Sequence, residues 1–180
     1  RMLAGDANGT PVDGDQILAV LADPLKVDLV AVTQMTNLGF HRFADEHGIR
    51  VVTTDVGDRY VLEALHAEGG ILGGEQSGHL IVLDGHVTGD GLAAALTLCR
   101  ALDGRRLGEA AAVMPRFAQA KENVRIDPTE VPEAVVREVE RLNTELVGRG
   151  RVLGRPSGTE PLNRILAEME TLEEAEVPCG

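Results

Sequence analysis

Short β-rich runs alternate with helical patterns over roughly the first hundred residues, and this alternation constrains the fold more than any other feature. The helical patterns place apolar residues three and four apart, and several of them end at a glycine. The β-rich runs are LVAVTQ, RVVTTDV, ILGG and LIVLDG. Strands that alternate with helices in this way predict an α/β layer domain.

Local signals add detail to this domain. Asn8-Gly9 is a strong signal for a tight hairpin between two short strands. Asp15 is predicted to cap the helix that follows, because a carboxylate can accept the free N–H groups of a first turn. The Ala/Leu-rich stretch 90–104 predicts a helix that is buried on most of its surface.

The pattern changes after residue 104. Pro115 is predicted to be a hinge, and the strand NVRID follows it. The segment 131–148 predicts a strongly amphipathic helix whose acidic face is solvated. RVLG and NRILAEME predict two further strands. The resulting βαββ unit is a second, smaller α+β domain.

Composition excludes several classes of function. The 180 residues are 43% hydrophobic but only 2% aromatic, so the core is predicted to be aliphatic. A net charge of −12 argues against a nucleic-acid partner and requires any phosphate to be bound locally, by a few arginines and N–H groups. Absence of a long apolar run argues against a membrane span. Cys99 and Cys179 lie far apart, which favours a reduced, cytoplasmic setting. Both ends of the sequence look cut, so we expect a fragment of a longer protein.

The segment RPSGTEPLNR, residues 155–164, is the sharpest candidate site. Two prolines forbid regular structure, a glycine and two hydroxyl residues follow, and an arginine stands at each end. Such a loop can bind an oxyanion, with converging N–H groups and bidentate guanidinium contacts. The alternative interpretation is a solvated turn with incidental arginines.

The segment GGEQSGH, residues 73–79, places a carboxylate, an amide, a hydroxyl and an imidazole on a glycine-rich backbone. Such groups can bind vicinal sugar hydroxyls, although a polar turn between two strands has the same composition. Ser77 lacks the frame of a nucleophile elbow, so no catalytic residue is assigned. In VGDRY, Asp58 is predicted to be an N-cap with Arg59 on the surface; alternatively, Arg59 steers an anionic substrate.

Metal sites are not predicted. The segment GDANGTPVDGD resembles a calcium loop, but Ile17 occupies the place of the bidentate acid. The five histidines show no spacing of four residues that would suit zinc.

GGEQSGH and RPSGTEPLNR together resemble the sugar-binding and phosphate-binding loops of the α-D-phosphohexomutases. VDGDQIL, TNLG, VGDRYV and TGDG are similar to the same family, so the resemblance covers nearly the whole chain. Gln76 and VGDRYV resemble the bacterial branch that interconverts glucosamine 6-phosphate and glucosamine 1-phosphate. Two alternatives stay open, the branch that acts on mannose and glucose phosphates and a non-catalytic module that binds phosphosugars.

The resemblance implies a fold and a division into domains. It implies a mixed-sheet α/β domain 3 followed by a smaller α+β domain 4 that is similar to the TATA-binding protein fold. The implied segments are a remnant of the metal-binding domain 2, the sugar-binding domain 3, a linker and a truncated domain 4, at residues 1–12, 13–104, 105–121 and 122–180.

The resemblance also implies residue roles. Sugar hydroxyls would be bound by Glu75, Ser77, His79, Asp58 and Arg59. The non-reacting phosphate would be bound by Arg155, Ser157, Gly158, Thr159 and Arg164. Arg1 matches the last residue of the family's metal loop without being a ligand. Gly154 and Asn163 stand where the family usually has apolar residues.

The family's chemistry sets the remaining expectations. A phosphoserine and Mg²⁺, both held by segments upstream of Arg1, transfer phosphoryl groups through glucosamine 1,6-bisphosphate, for UDP-N-acetylglucosamine and cell-wall synthesis. This chain alone is therefore expected to be inactive. Its implied partners are a small phosphosugar and the missing N-terminal domains of the same protein, with no nucleic acid and no membrane, and the oligomeric state stays open.

Overall fold

The computed structural model describes residues 1–125, 131–156 and 162–179. It divides into two compact units, Arg1–Pro115 and Arg116–Gly180. In the described part of the chain, no helix has the length and apolar character that a membrane crossing needs.

Unit 1 alternates strands and helices, as the sequence predicts. Its strands are β1 (Ala4–Gly5), β2 (Pro11–Val12), β3 (Leu29–Thr33), β4 (Arg50–Thr54), β5 (Leu72–Gly74) and β6 (Leu80–Val82). Its helices are α1 (Gly14–Ala22), α2 (Leu38–Glu46), α3 (Asp58–Glu68), α4 (Gly91–Leu102) and α5 (Leu107–Ala111). Strands β1 and β2 pair as the hairpin that Asn8-Gly9 predicts.

The sheet of unit 1 is mixed, with strand order β4-β3-β5-β6. Strand β3 runs parallel to β4 and β5, whereas β6 is antiparallel to β5. Side chains of β3 alternate between the two faces. Leu29 and Ala31 join a cluster that contains Val61 and Leu65 of α3. Val30 and Val32, on the opposite face of β3, belong to a second cluster that includes residues of α1, α2 and α4. Helices therefore cover both faces of this sheet.

The start of α1 differs from the prediction. Asp13, and not Asp15, is the N-cap: its Oδ1 accepts the N–H of Gln16 at 3.1 Å, and Gln16 Oε1 accepts the N–H of Asp13 at 3.3 Å. This reciprocal capping box needs Gln at the third helical position, and Gln16 fits only a cap at Asp13. Asp15 instead lies buried in the first turn, where its Oδ2 accepts the N–H of Asn37 at 2.8 Å.

Helix α4 also differs from the prediction. It was expected to be buried on most of its surface, but α4, which the structure describes in full, buries only Ala94 and Leu98. Leu92 and Leu96 are 72% and 60% exposed. The helix packs on α1 and on the edge strand β6, so only a narrow stripe of its surface is covered.

Unit 2 is the βαββ arrangement that the sequence predicts, followed by a short helix. Its elements are β7 (Ala118–Val124), α6 (Glu133–Glu145), β8 (Gly150–Pro156), β9 (Asn163–Met169), α7 (Leu172–Glu176) and a 3₁₀ turn (Val177–Cys179). The antiparallel sheet has the order β7-β9-β8. The first strand was predicted as NVRID, but β7 begins five residues earlier, at Ala118, and ends at Val124. Its start lies within the stretch predicted as a linker, and every residue of β7 pairs with β9.

The two faces of this sheet differ in chemistry. On one face, Ala120 and Met169 pack against Ala175 of α7. Gly154 points the same way, since a Cβ there would lie 3.6 Å from Val139 of α6. The strand register places two leucines, Leu153 and Leu166, and a set of polar residues on the other face. The polar residues are Gln119, Lys121, Asn123, Arg151, Arg155, Arg164 and Glu168.

Candidate functional site

The predicted sugar loop is a tight connection between β5 and β6. The N–H of Glu75 donates to the carbonyl of His79 at 2.9 Å, and the N–H of Gly78 donates to the carbonyl of Glu75 at 2.9 Å. These bonds close the loop on itself, and Glu75 is only 7% exposed. The sequence-predicted residues Glu75, Ser77 and His79 are therefore held together by a folded turn.

The carboxylate of Glu75 is the centre of this loop. Its Oε1 accepts the N–H of Gly57 at 3.1 Å, from the start of α3. Its Oε2 accepts a hydrogen bond from Nδ1 of His79 at 2.7 Å and lies 3.4 Å from the hydroxyl of Ser77. A carboxylate has about four lone-pair positions, so it can still accept hydroxyl protons of a ligand.

The ring of His79 has a defined proton position. Its Nε2 lies 2.7 Å from Nε of Arg1, and a guanidinium nitrogen can only donate. The Nε2 atom is therefore the acceptor, and the proton sits on Nδ1, where it is donated to Glu75. These hydrogen bonds place the imidazole of His79 between the carboxylate of Glu75 and the guanidinium of Arg1.

Two backbone contacts hold the loop from outside. The N–H of Gly14, at the start of α1, donates to the carbonyl of Gln76 at 3.0 Å, and the N–H of Met2 donates to the carbonyl of Gly78 at 2.8 Å. Both contacts depend on bare glycine backbone. A Cβ on Gly14 would lie 2.0 Å from the carbonyl oxygen of Glu75, and one on Gly78 would lie 2.2 Å from that of Met2.

Asp58 and Arg59 stand at the start of α3, next to the Gly57 N–H that binds Glu75. Asp58 was expected to be the N-cap, but Gly57 occupies that position and Asp58 is the first helical residue. Arg59 follows the surface interpretation: it pairs with Glu63 at 2.7 Å and its side chain is 80% exposed. The hydrogen bond that Arg59 donates to Glu63 raises the pKa of Arg59.

The predicted phosphate loop is described only at its two ends. Arg155 and Arg164 lie directly opposite each other on β8 and β9, with both residues half-buried. Burial, and secondarily the charge of Arg164, lowers the pKa of Arg155. Among the described residues, nothing hydrogen-bonds the buried Nε of Arg155. Ser157, Gly158 and Thr159, which were predicted to complete the cradle, lie outside the described residues.

Two like charges opposite each other on paired strands are unfavourable. An anion between the guanidiniums would relieve both the repulsion and the missing hydrogen bond. This cross-strand pair therefore has the electrostatics of an anion-binding group.

The chain matches a known protein-family model. The model for phosphoglucomutase/phosphomannomutase, alpha/beta/alpha domain III, matches residues 13–117. The chain belongs to the phosphoglucomutase/phosphomannomutase family. The resemblance to the α-D-phosphohexomutases and the predicted fold class are thereby confirmed.

Individual members of this family are similar over nearly the whole chain. Phosphoglucosamine mutase of Frankia alni is 52% identical over 182 residues, which is 95% of this chain and 40% of that protein. Two solved structures of N-acetylphosphoglucosamine mutase from Aspergillus fumigatus share the fold at 17% and 18% identity, with TM-scores of 0.74 and 0.73. Each alignment covers 97% of this chain, and 43% and 44% of those chains. One holds glucose 1,6-bisphosphate, and the other holds GlcNAc-6P and magnesium.

The chain thus spans about 40% of the length of the curated relatives that it matches. Within the ranges that the structure describes, no group of three or more His, Cys, Asp or Glu side chains is arranged to hold a metal ion.

Sequence reasoning missed the backbone of Met2, Gly14 and Gly57, although these three N–H groups position the sugar loop. The quoted motifs VDGDQIL and VGDRYV contain two of them. Their contacts, however, depend on which segments meet in space, and residue type gives no sign of that.

Proposed function

We propose that this chain is the substrate-binding part of a phosphoglucosamine mutase, an enzyme that interconverts glucosamine 6-phosphate and glucosamine 1-phosphate. The observation that carries the proposal is the half-buried pair of Arg155 and Arg164, which face each other across two strands. Guanidiniums in this arrangement suit the oxygens of a phosphate group. Ser157, Gly158 and Thr159 would add N–H and hydroxyl donors from the same loop.

The sugar loop supports the same proposal. Glu75 is nearly buried, and the remaining lone pairs of its carboxyl group would accept protons from vicinal hydroxyls of the sugar. Ser77 and His79 would lie beside the same hydroxyls. Because Glu75 is already held by Gly57 and His79, its orientation does not have to be fixed when the ligand arrives. Asp58 and Arg59 would line the approach, with Arg59 attracting the negative charge of the substrate.

The reaction that we propose for the full-length protein is phosphoryl transfer from a phosphoserine through glucosamine 1,6-bisphosphate. Such reactions depend on positioning and charge stabilisation, and these are what the residues of this chain would supply. Mg²⁺ would be held by other segments of the full-length protein. The product would enter the synthesis of UDP-N-acetylglucosamine and of cell-wall precursors.

We further propose the division of the chain that the family implies. Residues 1–12 would belong to the metal-binding domain, 13–104 to the sugar-binding domain, 105–121 to a linker and 122–180 to the phosphate-binding domain. The missing N-terminal domains of the same protein would be its partners in catalysis.

Binding of glucosamine 6-phosphate to the 180-residue chain tests the proposal. Arg155→Ala and Arg164→Ala should each weaken binding by roughly 1.5–3 kcal/mol, the scale of a hydrogen bond to a charged group. Arg137→Ala is the control, since Arg137 pairs with Glu133 on the exposed surface of α6 and its side chain is 66% exposed. Identical calorimetric isotherms for both arginine variants and the wild type would rule out the phosphate assignment.

The same titration distinguishes the alternatives. A mutase of the mannose and glucose branch would bind mannose 6-phosphate or glucose 6-phosphate more tightly than glucosamine 6-phosphate. We also expect no turnover of glucosamine 6-phosphate by this chain with Mg²⁺ and the bisphosphate present, and measurable turnover would contradict that part of the proposal.

A further inference from the structure

A buried carboxylate on the central strand of unit 2 has no part in the function proposed above. Glu168 is fully buried, although it belongs to the polar face of the sheet. Its Oε1 accepts a hydrogen bond from Nε2 of Gln119 at 2.6 Å, and its Oε2 accepts one from Nε of Arg151. Gln119 lies on β7 and Arg151 on β8, so one carboxylate connects all three strands.

The strand register places this group in line with the arginine pair. Arg151 is opposite Glu168, Leu153 is opposite Leu166, and Arg155 is opposite Arg164. The pair Arg151–Glu168 and the pair Arg155–Arg164 are thus two rows of the same ladder. The first row joins opposite charges and is favourable, whereas the second row joins like charges and is not.

The pair of like charges disfavours the strand register in which it forms. Other contacts between β8 and β9 must therefore stabilise that register. A slip of one residue between β8 and β9 would move Arg155 and Arg164 to opposite faces of the sheet. The same slip would separate Glu168 from Arg151 and leave a buried carboxylate without its guanidinium. Breaking a buried ion pair costs more than separating two like charges on neighbouring strands relieves.

Distance and charge pairing weaken a direct electrostatic effect of Glu168 on a bound anion. Four residues separate the two rows along β9, which corresponds to roughly 13 Å at a rise of about 3.3 Å per residue. The carboxylate of Glu168 is also paired with the guanidinium of Arg151, so the two charges of that row offset each other. The effect of Glu168 on anion binding that we expect is therefore one on strand geometry.

We infer that Glu168, with Arg151, is a positioning residue for anion binding: it locks the β8–β9 register in which Arg155 and Arg164 face each other and can hold one phosphate group. Buried polar groups specify register in some proteins, and a buried ion pair is by itself weak evidence for added stability. This inference rests on the proposed function, because the arginine pair is the proposed phosphate group.

The test uses the 180-residue chain, inorganic phosphate as the probe, and two readouts. Arginine Nε–H resonances report phosphate binding, and interstrand contacts between the backbones of residues 155 and 164 report the register by nuclear Overhauser effects. Glu168→Gln should weaken phosphate binding at least about 10-fold and remove the 155–164 contacts. Glu138→Gln, which removes an exposed carboxylate of α6, should change neither readout.

Exchanging the charges of residues 151 and 168 distinguishes an effect on strand register from a general loss of structure. Arg151→Glu alone should behave like Glu168→Gln or worse, whereas the double variant Arg151→Glu/Glu168→Arg should bring back the 155–164 contacts and bind phosphate within about threefold of the wild type. If Glu168→Gln fails to fold, Arg151→Met/Glu168→Met replaces the ion pair by apolar side chains and should fold with weakened phosphate binding.

Two results would overturn the inference. One is a folded Glu168→Gln variant with wild-type phosphate affinity and intact 155–164 contacts, and the other is a folded charge-exchange variant that restores neither. If the wild type itself binds no phosphate, the proposed function fails, and the interstrand contacts alone then decide whether Glu168 holds the register.

Discussion

Gly14 offers the most direct test of how the sugar loop is held. Replacing it by alanine adds a Cβ only 2.0 Å from the carbonyl oxygen of Glu75 and 3.1 Å from the nitrogen of Gly78. An ordinary contact between carbon and oxygen is about 3.3 Å. The loop or the start of α1 must therefore move by about 1.3 Å, and backbone cannot rotate away as a side chain can.

The expected free energy has two terms of opposite sign. Replacing glycine by alanine within a helix stabilises the folded state by roughly 0.5–1 kcal/mol. Forced movement of packed backbone costs typically about 1–3 kcal/mol. We therefore expect Gly14→Ala to destabilise unit 1 by roughly 1–2 kcal/mol. Gly5→Ala is the matched control, because its Cβ would lie 3.6 Å from the nearest atom, the carbonyl oxygen of Thr10, and should cost nothing.

Hydrogen exchange at the amides of β3 measures the stability of unit 1 alone, so that unit 2 does not enter the result. The ring nitrogens of His79 provide a second readout, since a displaced Glu75 should disturb the proton on Nδ1. If Gly14→Ala is as stable as Gly5→Ala and leaves the His79 ring resonances unchanged, the loop is not clamped by α1 and our reasoning is wrong.

Two further predictions concern stability. Asn163 is 2% exposed, and within the described ranges its Oδ1 and Nδ2 have no hydrogen-bond partner. Asn163→Val should therefore stabilise unit 2 by about 1–3 kcal/mol, because it removes a buried polar group that lacks a partner. Hydrogen exchange at the amides of β9 measures this change. Asn143→Val should destabilise unit 2, because the side chain of Asn143 hydrogen-bonds both the N–H and the carbonyl of Val152. If the two substitutions change the stability of unit 2 equally, this explanation is wrong. Hydrogen bonds from the N–H groups of Ala93 and Leu92 lower the pKa of Asp90 below 3.8 in the folded state. Its ionised form therefore stabilises the fold above pH 3.8, and the advantage of the wild type over Asp90→Ala should shrink as pH falls through the folded-state pKa; a constant difference in urea midpoint would contradict this.

Much of the fold could be predicted from local sequence. The hairpin at Asn8-Gly9, the strands and helices of both units and the polar loop at 75–79 all follow from periodicity and turn residues. The N-cap of α1 could also have been predicted, because Gln16 completes a capping box with Asp13 but not with Asp15.

The remaining features depend on tertiary contacts that local sequence does not encode. An Ala/Leu-rich helix is predicted to be buried, yet α4 lies against an edge strand and leaves Leu92 and Leu96 exposed. The arginines at the ends of RPSGTEPLNR were recognised as candidates. That they are directly opposite each other depends on the register of β8 and β9, and Glu168 is 13 residues away from Arg155 in the sequence.

The two candidate binding groups differ in their physical state before any ligand arrives. The charge of Glu75 is already compensated by the N–H of Gly57 and by His79, and the backbone around it is clamped at Gly14 and Gly78. Such a group contributes orientation, because little has to be reorganised when hydroxyls replace water. Arg155 differs in this respect, because burial and the charge of Arg164 both lower its pKa. Under the proposed function, the arginines would bind the phosphate group and Glu75 would select the hydroxyl pattern. A phosphosugar carries both kinds of group, so the proposed function would use both sets of residues.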